Sequence, residues 1–285
     1  MTKLELFKYT GVEQGPKLLV LGAIHGNEPA GTIAIEKLRQ QLDSGLVKLL
    51  KGSVCFMPIC NPLAKDKDVR FIEHNLNRIL NRHENEITQE HGFANQICDA
   101  IDNTDYILDI HSTHLEGDLP TVFNDFVTDE TSSWANALNI GTVITSWRDM
   151  LNESDAPADF SDTVNYAHLK GKKALLVEAG YHYEPQAEDL AYQSIINTLE
   201  FLGMIEQTEK QIPNNDVAHM YKIVFKTEET GAFVKDWKHM DEVNCGDVIA
   251  KLDNGEELKA EYDGYVVIPF PTAKAGEEWF YLAKK

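Results

Sequence analysis

Cysteine is sparse in this 285-residue chain: Cys55, Cys60, Cys98 and Cys245 are scattered, and none forms a CxxC pair. That excludes a disulfide framework and a four-thiolate metal site, and leaves four reduced residues expected to pack as small hydrophobes. Positive charge is also scarce. Lys and Arg total 26 against 46 Asp and Glu, a formal net charge of −20. Affinity for nucleic acid or an anionic membrane depends on neutralising phosphates with basic side chains, so neither is an expected partner. No apolar run approaches the roughly 20 residues of a membrane helix, and no N-terminal segment joins a positive region to an apolar core and a small-residue cleavage site. The expectation is a soluble, cytoplasmic protein with no internal repeats and no low-complexity tract. What the chain does have is ordinary globular material, 43% hydrophobic and 25% charged, enough for one large domain and one small one.

From Lys17 to about Leu202, short apolar runs alternate with longer helical patterns. The runs are LLVLGAI (18–24), SVCFMPI (53–59), YILDI (106–110), GTVIT (141–145) and KALLVEA (173–179). Their length and β-branched content suit strands buried on both faces. Helices are expected over 30–42, 89–101, 132–138 and 187–202, the first with Pro29 at its opening position, where a missing N–H costs nothing. Strand–helix alternation means an α/β sheet with covered faces. A polar stretch, IEQTEKQIPNND (205–216), reads as a linker. Beyond it YKIVFKT, DVIAKL and YVVIPF alternate in short steps between Gly-Asp and Asp-Gly turn signals, the pattern of a small β module. The expected division is residues 1–208 and 217–285.

Sites in open α/β sheets form outside the carboxyl ends of the strands. The first run ends at His25 with Glu28 in the following turn, YILDI ends at His111, and KALLVEA carries Glu178 near its end. Catalytic zinc takes three ligands from His and Asp/Glu and leaves a position open, a set that His25, Glu28 and His111 can supply. The chemistry then needs a base and a positive oxyanion partner, for which Glu178 and Arg70 are candidates. Asp109 shares a strand face with His111 and is placed to orient it. Bland readings stay open at this point: a satisfied histidine at 111, a helix cap at Glu178, surface charges at Arg70 and Arg78. Together, however, these regions set costly polar groups at strand ends, where burial without partners would cost several kcal/mol, roughly, each. Of the remaining histidines, His74, His83 and His91 read as solvated, His114 and His182 as pocket lining, and His168, His219 and His239 carry no assigned role.

GAIHGNEPAG, NP with RFIEHNLNR, DIHST and VEAG, in that order and approximate spacing, resemble the succinylglutamate desuccinylase/aspartoacylase family of zinc hydrolases, related to the zinc carboxypeptidases. The resemblance covers most of the chain and implies a carboxypeptidase-like mixed α/β sheet flanked by helices, with a smaller C-terminal all-β domain. It implies one zinc ion per chain on His25, Glu28 and His111, with Glu178 as general base and later proton donor to the leaving amine. Arg70 would polarise the scissile carbonyl, and Asn77 and Arg78 would hold a substrate carboxylate. The implied reaction is hydrolysis of the amide of an N-acyl amino acid by metal-bound water. VNCGDVIAKLDNGEELKAEYDGYVVIP is similar to the family's C-terminal module and distantly to lipoyl-type domains, but without a DKA or MKM tip, so no attached cofactor is expected.

Two departures bear on the substrate. Aspartoacylase has an arginine about ten residues before its glutamate that grips a side-chain carboxylate, whereas here NYAHLKGKK, around His168, has none; Arg148 is a candidate replacement from another loop. In EEWFYLAKK simple alignment places Phe280 at the family's carboxylate-binding tyrosine and Tyr281 beside it, so Tyr281 is the candidate. A zinc carboxypeptidase or cell-wall peptide amidase, and a metal-binding regulatory protein without turnover, are the alternatives. A C-terminal module covering the cleft would favour small acyl amino acids over peptides. A homo-oligomer is compatible with the sequence.

Overall fold

The structure, a computed structural model, describes residues 2–157, 159–208, 215–227 and 230–285. Strands β1 (Phe7–Thr10), β2 (Glu13–Gly22), β3 (Lys51–Met57), β4 (Tyr106–Thr113), β5 (Thr121–Phe123), β6 (Thr142–Thr145) and β7 (Lys173–Tyr181) alternate with helices α1 (Ala30–Asp43), α2 (Pro62–Asp66), α3 (Leu76–Ile79), α4 (Gln89–Asp102), α5 (Asp129–Leu138), α6 (Trp147–Asn152), α7 (Thr163–Leu169) and α8 (Pro185–Phe201). The apolar runs all become strands, and the four periodic segments all become helices. Strand β2 starts earlier than its apolar run, because Glu13 pairs with Lys51. It stops three residues before His25, and at Ala23 the backbone takes φ of 47° and leaves the ladder. Pro29 sits one position ahead of expectation, as the residue capping α1.

The short helices have no period to read, and α2, α3 and α7 are set by caps. Asn61 accepts the N–H of Ala64, Asn75 that of Asn77, and Asp162 that of Asn165. Four parallel strands, in the order β3-β2-β4-β7, form the centre, with β1 antiparallel on one side and β5 antiparallel on the other. One face is covered by α1 and α8, where fully buried Ile35, Leu38, Ile195 and Leu199 meet Leu18, Val20 and Leu108. Each such side chain contributes about 1.5–3 kcal/mol of burial. The other face packs Leu19, Leu21 and Ile107 against Phe93, Ile97 and Ile101 of α4.

Beyond the polar stretch, of which residues 209–214 lie outside the described residues, come β8 (Asp216–Phe225), β9 (Gly231–Phe233), β10 (Asp241–Val243), β11 (Val248–Leu252), β12 (Glu257–Lys259), β13 (Gly264–Val267) and β14 (Glu278–Lys284). Strand β8 pairs parallel with β6 and antiparallel with β14, so the large sheet continues through β14, β13 and β10 into the C-terminal region. Strands β12, β11 and β9 form a separate antiparallel sheet around Trp237, Ile249, Trp279 and Phe280. No helix among the described residues is long and apolar enough to cross a membrane. The structure leaves all four cysteines free; Cys60 and Cys98 are buried, whereas Cys245 is exposed rather than part of a core.

Candidate metal and active site

The central register sets His111 beside Glu178 and Leu21 beside Asp109, so the carboxyl ends of β2, β4 and β7 converge. From the end of β2 the chain carries His25 and Glu28 back over that edge. Gly26 is required there by close approach, since a Cβ would lie 2.1 Å from the Ala64 carbonyl carbon and 2.2 Å from the Lys65 nitrogen of α2.

His25, Glu28 and His111 are all buried, and each offers a ligand atom within 4.8 Å of the other two. His25 Nδ1 lies 2.7 Å from Glu28 Oε1, His111 Nδ1 lies 2.8 Å from Glu28 Oε2, and the two Nδ1 atoms are 3.1 Å apart. The outer ring nitrogens have acceptors: His25 Nε2–H donates to Asn75 Oδ1 at 3.0 Å and His111 Nε2–H to Asp109 Oδ2 at 3.0 Å. Asp109, fully buried, also accepts from the Thr163 hydroxyl at 2.5 Å. Such outer acceptors fix the tautomer that turns both Nδ1 lone pairs inward, the arrangement a metal requires. The donor set of two imidazoles and one carboxylate therefore fits zinc.

Charges follow from this crowding. Burial opposes a charge on His111, but Asp109 and Glu28 outweigh it and hold its pKa well above the usual value. Burial and Arg70 push His25 down to about 4. Glu28, despite burial, is held well below the carboxylate range by His25 and His111. Glu178 goes the other way: burial and the nearby Glu28 push it up to about 8, and its Oε2 finds no hydrogen-bond partner.

Arg70 Nη1 donates to Glu28 Oε1 at 3.0 Å. Its loop is pinned by a residue not anticipated from sequence, the buried Glu90 of α4, whose carboxylate takes the N–H groups of Ile72, Glu73 and His74 and the Asn61 amide. Arg70, Asn77, Arg78, Glu178 and Tyr281 line one cavity with His25, about 530 Å³ including its mouth. The fork of Arg78, expected to be open toward substrate, is engaged: Nε and Nη2 donate to the two Glu278 oxygens at 2.5 and 2.7 Å, Nη2 to the Tyr281 hydroxyl at 3.2 Å, and Nη1 to the Asn77 carbonyl at 2.7 Å. Glu278 and Asn75 were not singled out from sequence, although both stand inside the quoted motifs EEWFYLAKK and RFIEHNLNR. Tyr281, not Phe280, faces the cavity; Phe280 packs in the C-terminal core.

Several secondary expectations change. Arg148 does not replace the missing arginine, since its Nη1 is bound to the Phe160 carbonyl at 2.6 Å. His74, His83 and His91 are not solvated singly: the His91 ring packs tilted against the other two, with centroids 4.8 and 4.4 Å away, and it completes the cap of α4 with Thr88. His114 lies against Phe270 and His182 against Ser112, both outside the cavity wall. His239, with no expected role, takes the Ile268 N–H at Nδ1 and donates from Nε2 to the Thr121 hydroxyl, tying the C-terminal region to the strand beside Glu178.

Comparison with known proteins agrees with this fold. The fold is similar to that of the product-bound ectoine utilization protein EutE (DoeB) from Ruegeria pomeroyi, with a TM-score of 0.76 at 19% identity over 98% of this chain and 88% of that one. It is also similar to a succinylglutamate desuccinylase/aspartoacylase from Rhodobacter sphaeroides (0.75, 19%, 100% and 90%) and to a succinylglutamate desuccinylase from Vibrio cholerae (0.76, 18%, 98% and 85%). No curated protein matches the chain. Residues 14–198, from β2 to α8, match the succinylglutamate desuccinylase/aspartoacylase catalytic domain. That span contains every residue converging at the carboxyl ends of β2, β4 and β7, and the chain belongs to the succinylglutamate desuccinylase/aspartoacylase family.

Proposed function

We propose that the protein is a zinc-dependent amidohydrolase that cleaves the amide of a small N-acyl amino acid. The observation carrying this reading is the inward convergence of His25 Nδ1, His111 Nδ1 and the Glu28 carboxylate beside a buried, unpartnered Glu178 oxygen. A zinc ion held by His25, Glu28 and His111 would supply Lewis-acid activation of water and of the acyl carbonyl. Glu178 accepts the proton of the attacking water and returns it to the leaving nitrogen. The water oxygen joins the acyl carbon, the C–N bond breaks, and a carboxylic acid and an amine leave. Burial keeps Glu178 protonated near neutral pH until nearby positive charge lowers it, which couples its service as a base to an occupied site. Arg70, one-third exposed at the cavity mouth, supplies hydrogen bonds to the developing oxyanion. Asn77, Arg78 and Tyr281 hold a substrate carboxylate.

We read residues 1–208 as the catalytic domain and 217–285 as a C-terminal β domain that completes the site. The latter contributes Ile268, Phe270 and Tyr281 to the cavity wall, which supports a small substrate rather than a peptide lying in an open groove. The test combines zinc content with amine release from a panel of N-acyl amino acids and short peptides. The expected result is one zinc per chain and turnover of acyl amino acids, with Glu178→Ala keeping zinc while losing nearly all turnover. Loss of zinc from Glu178→Ala would show that ligand and base are misassigned; wild-type protein neither containing zinc nor stabilised by it would end the metal reading.

A further inference from the structure

Two carboxylates share the cavity with the catalytic groups. Asp125, just after β5, accepts the Arg148 N–H at 3.0 Å through both oxygens, and Asp162 caps α7 by accepting the Asn165 N–H at 2.7 Å. Both line the same cavity as Glu178, and among the described residues neither forms an ion pair. The basic groups of that wall, Arg78 paired with Glu278 and Arg70 with Glu28, are the ones the proposed function already assigns to the substrate's first carboxylate and its acyl oxygen. A second carboxylate on the substrate would therefore meet no free guanidinium and two like charges. A third acceptor is independent of this pair. Asn77 is 8% exposed and lines the cavity, and its Oδ1 has no hydrogen-bond partner. Between these acceptors the wall is apolar, with Phe123, Val164 and Leu176.

An alkyl stem with a donor-only, positively charged end matches such a wall: methylenes pack on the apolar side chains while the N–H groups satisfy the acceptors. We infer that the cavity selects an N-acyl amino acid whose side chain ends in an ammonium group, held by Asp125 and Asp162. The inference rests on the amidohydrolase reading for the acyl part and on the cavity wall for the side chain. The electrostatics agree. Burial and the proximity of Asp162 push Asp125 up to about 7, and burial raises Asp162 although the Asn165 N–H, Arg78 and Arg148 offset part of the rise, as carboxylates behave when burial outweighs the positive charge around them.

Calorimetric titration of the full-length, zinc-loaded protein with L-ornithine, its uncharged isostere L-norleucine and L-glutamate reads the pocket without requiring turnover. Ornithine should bind at least tenfold tighter than norleucine, and glutamate weaker than both. Asp125→Asn and Asp162→Asn retain a capping oxygen, and each should cut ornithine affinity tenfold or more. Equal affinity for ornithine and norleucine, preference for glutamate, or no ornithine binding overturns the inference. Hydrolysis of the three Nα-acetyl derivatives separates the two levels. Selective ornithine binding with none of them cleaved would refute the amidohydrolase reading and leave the pocket standing. Cleavage of acetylglutamate or acetylnorleucine at least as fast as acetylornithine, without binding preference, would do the reverse.

Discussion

Replacing Glu278 by Gln tests whether the cavity wall is held from the C-terminal region. The Arg78 and Glu278 side chains are 11% and 15% exposed, and two hydrogen bonds of 2.5 and 2.7 Å join them across 200 residues of chain. Removing one partner of a buried pair costs about 3–5 kcal/mol, because the survivor keeps its desolvation without its compensation. The residual exposure and the amide oxygen that glutamine retains reduce this to about 2–3 kcal/mol. With a urea slope of about 3 kcal/mol/M, at the upper end for small proteins, the midpoint should fall by on the order of 1 M. Urea denaturation followed by tryptophan fluorescence measures it. The control is the double variant Arg78→Met, Glu278→Leu, which should lie closer to wild type than Glu278→Gln alone, since an apolar pair of similar volume replaces a buried ion pair at little cost.

The pH dependence adds a second signature with a definite sign. Arg78 overcomes the burial of Glu278 and holds its carboxyl below the usual range. The folded state thus binds fewer protons than the unfolded one near the ordinary glutamate pKa of about 4.3, and the contribution of the pair is present above that pH and lost as pH falls through the folded value. The gap between wild type and Glu278→Gln should narrow on acidification below about pH 4. A midpoint shift under about 0.3 M that does not vary with pH would show that Arg78 is solvated or paired elsewhere, and would refute the reasoning.

Asp109→Asn should weaken zinc binding by about 10–100-fold while leaving the protein folded, because the acceptor orienting His111 loses its charge; competition with a chelator reads this, and unchanged affinity would count against an orienting role. Gly26→Ala should lower the melting temperature and zinc affinity together, since its Cβ would collide with the backbone of α2 at 2.1 Å; a variant of normal stability would show that α2 can shift freely. Asp125 gives the opposite pH sign to Glu278. Its folded value of about 7 lies above the unfolded value, so stability should fall as pH rises from about 4 to 7. Full conversion of the shift would give about 4 kcal/mol, and the partial exposure of the group brings that to about 2 kcal/mol, which Asp125→Asn should remove between pH 5 and pH 8. Parallel stability curves for the two proteins would contradict it.

The elements legible in the sequence are those whose signal is carried within their own length. LLVLGAI, YILDI and KALLVEA are apolar enough to demand a sheet covered on both faces, and the polar groups at their ends pointed to one edge before any geometry was available. Strand β5 and helices α2, α3, α6 and α7, three to seven residues each, carry no period and were missed. So were the acceptors that turn the ligands inward or pin their loops. Nothing local marks Asn75 as an acceptor for a ligand or Glu90 as buried, because the donors concerned come from the His25 turn and from the chain between Arg70 and His74.

Glu278 shows why the wall was harder to read than the metal site. It lies three residues from Tyr281, and in a regular strand residues three apart face opposite sides. Alternation alone would thus separate the carboxylate from the hydroxyl, one toward the cavity and the other away from it. The register of β14 against β8 shifts between Glu278 and Phe280, where Glu278 faces Phe225 and Phe280 already faces Val224. One residue fewer on the partner strand is the mark of a bulge, which re-aims the side chains beyond it. Here it lets Glu278 and Tyr281 both reach Arg78. The charge available to a substrate is therefore decided by an irregularity in a strand that the sequence pattern cannot reveal. The ligand set needs only that the neighbouring strands β2 and β4 end together.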